Sequence, residues 1–129
     1  MLKLRRATVV QADPVPERSV VAGEQRLQVE LHGGERRDAV ADLALVGACR
    51  RGDDVIVNVQ ARDLGLGSGG FDIVHVNLTR GLAGDGLPGA HVMKLNYTSL
   101  QHAVLPVEDE QLTLPLLRPV AVLALHGQL

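Results

Sequence analysis

Polar and apolar residues alternate along much of the first eighty positions, and the cleanest alternation lies in residues 26–32, RLQVELH. Every second residue of this segment is a leucine or a valine, which predicts a half-buried β-strand. Two glycines, Gly33 and Gly34, follow directly. Because glycine accepts the positive φ that tight hairpin turns require, we expect residues 35–40 to return as the second strand of a β-hairpin.

Strand patterns recur along the rest of the chain, and glycine, proline and aspartate separate them. The further strands are predicted at residues 2–11, 54–61, 71–78 and 91–97. Residues 42–49 and 98–101 favour a helical turn or an irregular corner. Since no long helical period is present, we expect an all-β domain over residues 1–118, a small β-barrel or sandwich of the OB-like or SH3-like kind.

The last segment departs from this alternation. Residues 120–125, VAVLAL, are apolar on both faces of a strand, a pattern typical of strands that are covered on both sides. We therefore expect residues 119–129 to form an apolar extension. Three arrangements remain open: the barrel encloses it, another copy of the chain pairs with it, or it begins a second domain, a C-terminal α/β region, that this chain lacks.

Composition narrows the function classes. The chain of 129 residues has 13 basic and 15 acidic residues and a net charge of −2, whereas nucleic-acid-binding domains are usually basic. Phe71 and Tyr97 are the only aromatic residues, so few rings are available to stack on bases. We expect no nucleic-acid partner and no membrane partner, since no apolar stretch is long enough to span a bilayer. With Cys49 as the single cysteine, a cytoplasmic location is expected.

The glycine-rich segment of residues 65–70, GLGSGG, satisfies the G-x-G-x-x-G pattern of dinucleotide sites. A strand is predicted directly after it, so no helix N-terminus is available for a pyrophosphate. A bulge or wide turn is the favoured interpretation. The backbone amides of Gly67, Gly69 and Gly70 remain candidates for a small anion-binding nest.

The remaining polar candidates have ordinary structural explanations. Lys94 lies on one face of the predicted strand 91–97 and, with His91 and the glycine-rich segment, defines an alternative function: a small anion- or phosphate-binding domain or enzyme. His91 and His75 would face each other if their strands formed a hairpin, although hydrogen-bonded histidines in a sheet are the favoured interpretation. No metal-ligand spacing is present, and we expect no catalytic residue, metal or cofactor.

Three segments taken together carry a family resemblance: DLGLGSGGF at 63–71, VHVNL at 74–78 and HVMKLNYTSLQ at 91–101. They resemble the N-terminal portion of the bacterial family catalogued as domain of unknown function 3866. The resemblance implies a bacterial source and a longer parent protein whose C-terminal region follows the segment 119–129. It implies no activity and no catalytic residues.

Together these patterns favour a non-catalytic β-barrel module for assembly or ligand docking. We expect it to be a homo-oligomer or to pack against the C-terminal α/β region.

Overall fold

The computed structural model describes residues 1–15, 23–67 and 69–105. Seven strands and two single-turn helices lie in these ranges: β1 (Leu4–Ala12), β2 (Glu24–Leu31), β3 (Arg36–Asp42), α1 (Leu43–Val46), β4 (Asp54–Asn58), α2 (Gln60–Asp63), β5 (Asp72–Asn77), β6 (Val92–Lys94) and β7 (His102–Val104). The chain divides into two compact units, Met1–Asp85 and Gly86–Leu129. The apolar extension expected at 119–129 lies outside the described residues.

The first unit is a closed five-stranded barrel with the strand order β1-β2-β3-β5-β4, in which β4 pairs with β1. Strands β1 to β3 form an antiparallel meander, and β4 returns beside β1, which is Greek-key connectivity. Among the strands in the described ranges, only β3 and β5 pair in parallel. The expected small all-β barrel is confirmed, and its connectivity is of the OB-like kind.

The barrel interior is filled by small and β-branched side chains that alternate with outward polar residues. Val9, Val29, Val55 and Val57 are each at most 1 % exposed. The hairpin predicted between residues 26–32 and 35–40 is present as β2 and β3, and Gly33 and Gly34 at its turn both have positive φ. Period-two alternation therefore located the core correctly.

The structure differs from the sequence expectations at the end of β4 and at the partner of β5. Residues 60 and 61 were expected to continue a strand, but β4 ends at Asn58 and α2 begins at Gln60. The side chain of Asn58 accepts a hydrogen bond of 3.0 Å from the Gln60 amide, which turns the chain out of the sheet. The pairing of His75 with His91 across a hairpin is also wrong, because β5 pairs with β3 and β4, whereas β6 pairs with β7.

The described part of the second unit is a two-stranded antiparallel sheet in which Val92 pairs with Val104 and Lys94 with His102. The turn between the strands holds Leu95 and Tyr97 at positive φ. A helical turn was expected at 98–101, but Thr98 instead closes a local turn: its hydroxyl donates to the Leu95 carbonyl oxygen at 2.8 Å.

Candidate functional site

A concave groove of about 320 Å³ lies on the barrel surface formed by β2 and β3. We call it the docking groove. Its lining comes from β2 and β3, from the end of β1 and the residue that follows it, and from the end of the loop between α2 and β5. The residues that line it are Gln11, Asp13, Arg26, Leu27, Gln28, Asp38, Ala39, Gly69, Gly70 and Phe71.

Arg26 and Phe71 organise one side of the docking groove. The guanidinium carbon of Arg26 lies 4.5 Å from the centroid of the Phe71 ring, within the range of a cation–π interaction. In the part of the chain that the structure describes, Arg26 makes no ion pair. Its guanidinium is therefore held against a flat apolar ring.

Gly69 packs closely against the Phe71 ring. It has a φ of +73°, and a Cβ atom built on it would lie 2.6 Å from the Phe71 Cε1. Any side chain at this position would collide with the ring, so the backbone of the glycine-rich loop reaches Phe71 only because residue 69 is glycine. Strand β5 follows the loop, as the sequence indicated, so the G-x-G-x-x-G pattern is not followed by a helix.

The polar groups of the docking groove include both hydrogen-bond donors and acceptors. The Gln28 amide nitrogen lies 3.4 Å from a carboxylate oxygen of Asp38, on the neighbouring strand. Asp13 adds a second carboxylate, and Gln11 adds a second amide. One guanidinium faces two carboxylates, so the lining carries no excess of positive charge.

A cluster of charged side chains lies at one end of the barrel and centres on Arg37 of β3. Its guanidinium donates to both carboxylate oxygens of Glu35, at 2.9 and 3.0 Å, and to Asp63 at 2.7 Å. These hydrogen bonds raise the pKa of Arg37 above its usual range. Asp63 also pairs with Lys3. Hydrogen bonds from Lys3 and Arg37 lower the pKa of Asp63 to about 2.

Asp72, the first residue of β5, is buried beside this cluster at 1 % exposure. One of its carboxylate oxygens lies 3.6 Å from Nη1 of Arg37, which is too far for a hydrogen bond. Neither oxygen has a hydrogen-bond partner among the described residues, and Nη1 of Arg62 is likewise buried without one. Burial raises the pKa of Asp72, despite the opposing charges of Arg37 and Arg62.

A second buried polar network joins β4 to the end of β5, around Asp53. Arg80 donates to this carboxylate at 2.8 Å, and Asn77 donates at 2.9 Å. The Arg50 amide adds a third hydrogen bond at 2.9 Å. Burial opposes ionisation, but these donors outweigh it and lower the pKa of Asp53. The network is fully paired, which is typical of a structural support.

Cys49 lies next to this network and is buried. Its backbone is fixed by the side chain of Gln25, which accepts from the Cys49 amide at 2.8 Å and donates to its carbonyl oxygen at 3.0 Å. Burial raises the pKa of the Cys49 thiol, so the reactive thiolate is disfavoured.

The candidate anion-binding residues fall into two groups. Gly69 and Gly70 line the docking groove, and Gly67 lies earlier in the same loop of the first unit. His91 and Lys94 belong to the second unit. Lys94 is the last residue of β6, and Nδ1 of His91 lies 3.1 Å from the carbonyl oxygen of Gly89. A shared site for all five residues stays a prediction.

Two other kinds of feature are absent from the described ranges. Among these residues, no three His, Cys, Asp or Glu side chains converge as metal ligands would. Neither α1 nor α2, the two helices in those ranges, has the length or apolar composition to cross a membrane.

Residues 38–129 match the family described as protein of unknown function (DUF3866). The chain belongs to this family. The resemblance inferred from the sequence is thus confirmed, and the match extends over more than two thirds of the chain. It begins within β3, so the DUF3866 match includes Asp38, Ala39 and the glycine-rich side of the docking groove, while β1 and β2 precede it. Comparisons with curated proteins and with solved structures returned no significant match.

Sequence reasoning found the glycines of the groove but missed Arg26, Asp38 and Gln28. These residues occupy ordinary outward positions of alternating strands, and nothing in the sequence separates them from other surface polar residues. For Asp72 the alternation did contain a usable signal. Asp72 has the same parity as Val74 in β5, so a charged residue falls on an inward position.

Proposed function

We propose that the barrel is a ligand-docking module and that the docking groove takes a compact, neutral, polyhydroxyl ligand of the carbohydrate class. The observation that carries the proposal is the supported guanidinium of Arg26, which has no ion-pair partner among the described residues and lies at the side of a concave groove. A groove of about 320 Å³ is at the lower end of the size of small-molecule sites.

The position of the docking groove supports the same proposal. OB-fold barrels bind oligonucleotides and oligosaccharides on the face of strands 2 and 3, between the β1–β2 and β4–β5 loops. Here the lining comes from β2 and β3, from Asp13 after β1 and from the loop before β5. The groove thus lies where this architecture presents ligands.

The charge of the lining favours a neutral ligand over a phosphate. Asp13 and Asp38 would repel an anion, and Arg26 is the single cation among the lining residues. Carboxylates and amides together accept from and donate to hydroxyl groups. Phe71 adds apolar surface to the lining, which suits the C–H groups of a sugar.

Calorimetric titration of the full chain with maltose, cellobiose and diacetylchitobiose tests this function. We expect at least one disaccharide to bind, and Arg26→Gln to weaken that binding at least about tenfold, because hydrogen bonds to a charged donor are worth about 1.5–3 kcal/mol. Arg51→Gln is the matched control, since Arg51 is exposed and lies outside the docking groove.

Inorganic phosphate and ATP belong in the same titration, because the alternative function is anion binding through the glycine-rich loop with His91 and Lys94. Binding of phosphate that Lys94→Gln abolishes, with no response to any disaccharide, would favour that alternative and contradict the carbohydrate proposal.

We also propose that the protein self-associates, and this proposal is based on the second unit. Met93, Leu95 and Leu100 are exposed there, and Tyr97 is fully exposed on a backbone with a φ of 64°. Exposed apolar clusters mark interaction surfaces, and a second copy of the chain is the proposed partner. Sedimentation should show a homo-oligomer that Tyr97→Ser weakens, whereas a monomer at all concentrations would contradict self-association.

A bacterial, cytoplasmic setting completes the proposal. Composition supports the cytoplasmic part, because a chain with a single cysteine fits a reducing compartment. Cell fractionation with an antibody against the chain tests it, and recovery from an extracytoplasmic fraction would contradict it.

A further inference from the structure

The seam between β3 and β5 is the shortest in the barrel. The two strands pair in parallel through Ala39 with Asp72 and Val40 with Ile73, whereas β2 and β3 pair over seven residues. Asp72 is therefore one of the few residues that hold this seam closed. The carboxyl group of Asp72 is thus buried at the strand pair that has the shortest ladder in the barrel.

Charged groups act on Asp72 from β3 and from α2. Arg37 faces it from β3, and Arg62 and Asp63 face it from α2. Arg37 already donates to Glu35 and Asp63 through all three of its nitrogens. Its nearest nitrogen consequently approaches the Asp72 carboxylate no closer than 3.6 Å.

An ionised Asp72 is therefore poorly stabilised in the closed barrel. Its two oxygens are buried and have no hydrogen-bond donor among the described residues. A buried carboxylate with an imperfect partner carries a desolvation penalty that the protonated form avoids. When the seam opens, water reaches the carboxylate and removes that penalty.

We propose that Asp72 is a protonation-dependent latch on the β3–β5 seam, closed when its carboxyl group is neutral and weakened when that group ionises. The docking groove borders the same seam, since Ala39 and Phe71 line it. Control of ligand docking by the latch rests on the proposed function, whereas the latch itself does not.

The sign of the pH dependence follows from linkage. Burial raises the pKa of Asp72 in the closed barrel above its value in the open seam. The closed seam is then most stable below the ordinary carboxyl pKa of about 3.9. Above that pH, the equilibrium constant for opening of the seam rises by up to about tenfold per pH unit. It becomes constant once the pH exceeds the pKa of Asp72 in the closed state.

The test uses the full chain without any ligand. Carbon-13 NMR follows the Asp72 carboxyl group directly, and amide hydrogen exchange at Val40 and Ile73, corrected for its intrinsic pH dependence, follows seam opening. We expect Asp72 to titrate above the ordinary carboxyl range, and protection at both amides to fall up to about tenfold per pH unit over the same window. Because no ligand is present, failure here is distinct from failure of the docking function.

Two variants sharpen the test. Asp72→Asn should remove the pH dependence of protection at the seam, and Asp85→Asn, the same change at an exposed position of the first unit, should leave it intact. The proposal is overturned if Asp72 titrates at or below its ordinary value, if protection at the seam does not follow its titration, or if the dependence persists in Asp72→Asn. If that variant does not fold, the titration of the native chain decides alone.

Discussion

Gly69 is restricted to glycine by two separate features, its positive φ and its contact with the Phe71 ring. We predict that Gly69→Ala lowers the free energy of unfolding by about 1–2 kcal/mol, the typical cost of a left-handed residue, and moves Phe71 away from Arg26. Urea unfolding measures the first effect, and the aromatic proton shifts of Phe71 report the second.

Gly67→Ala is the matched control for this substitution. Gly67 lies in the same loop, has no positive φ, and has open space where a Cβ atom would lie. Alanine there should leave stability unchanged or raise it by up to about 1 kcal/mol, because it reduces the freedom of the unfolded chain. Equal losses from both substitutions would show that neither the positive φ of Gly69 nor its contact with Phe71 restricts the residue.

Asp53 supports the opposite end of β5 through a fully paired network. We predict that Asp53→Asn costs about 2–3 kcal/mol near neutral pH, because Arg80 loses a buried charged acceptor. Since the pKa of Asp53 is lowered in the folded state, its contribution is complete above the ordinary carboxyl pKa and is lost as the pH falls through the folded pKa.

The difference in stability between the native chain and Asp53→Asn should therefore shrink below about pH 4. Denaturant unfolding at a series of pH values measures it, with the exposed Asp85→Asn as control. A difference that stays constant down to the lowest pH at which the chain folds would rule out an ionised Asp53 in the network.

The sequence predicted the hydrophobic core better than the polar sites, and charged residues at inward-facing strand positions show why. Arg37 has the same parity in β3 as the buried Ala39 and Ala41, and Asp72 has the same parity in β5 as Val74. The alternation shows that such residues point inward. It does not show which partner each one meets, because Asp53 and Asp72 look alike in sequence and only the fold gives one of them donors.

Among the elements, α1 depends on a single capping residue. The Asp42 side chain accepts hydrogen bonds from the amides of Ala44 at 2.9 Å and Leu45 at 3.3 Å. We predict that Asp42→Ala costs about 1 kcal/mol and that Asp42→Asn, which keeps the accepting oxygen, costs much less. Thermal unfolding compares the two, and equal losses would contradict the capping role.

Element boundaries were predictable only where alternation continued to the end of a strand. In residues 54–61 the apolar parity persists through Ala61, yet Asn58 turns the backbone into α2. Asparagine at that position is a turn signal, but it competes with a longer and more regular pattern. The strand at 91–97 was shortened to β6 for a similar reason, because Leu95 and Tyr97 adopt positive φ.

At the scale of the molecule, the barrel strands lie within Met1–Asp85, and so do the residues of their hydrophobic core that the structure describes. We predict that a fragment of residues 1–85 folds on its own, with the strand signal and cooperative unfolding of the barrel in the full chain. Circular dichroism and urea unfolding check this. A fragment that shows no cooperative transition would mean that the barrel needs residues beyond 85.

The strand order was the part of the fold that the sequence left open. Alternation marks which face of a strand is buried, and it is the same for OB-like and SH3-like barrels. The parallel pairing of β3 with β5 decides between them, and it depends on only two residues of each strand. A ladder of two residue pairs is too short to produce a recognisable sequence pattern.

Ligand binding in the docking groove is tested most directly by mapping the amide chemical shifts of the full chain during titration with the three disaccharides. We expect one of the disaccharides to shift the amides of Arg26, Asp38, Gly69, Gly70 and Phe71 along a single saturable curve. Shifts confined to other parts of the chain, or no shift with any of the three sugars, would contradict it.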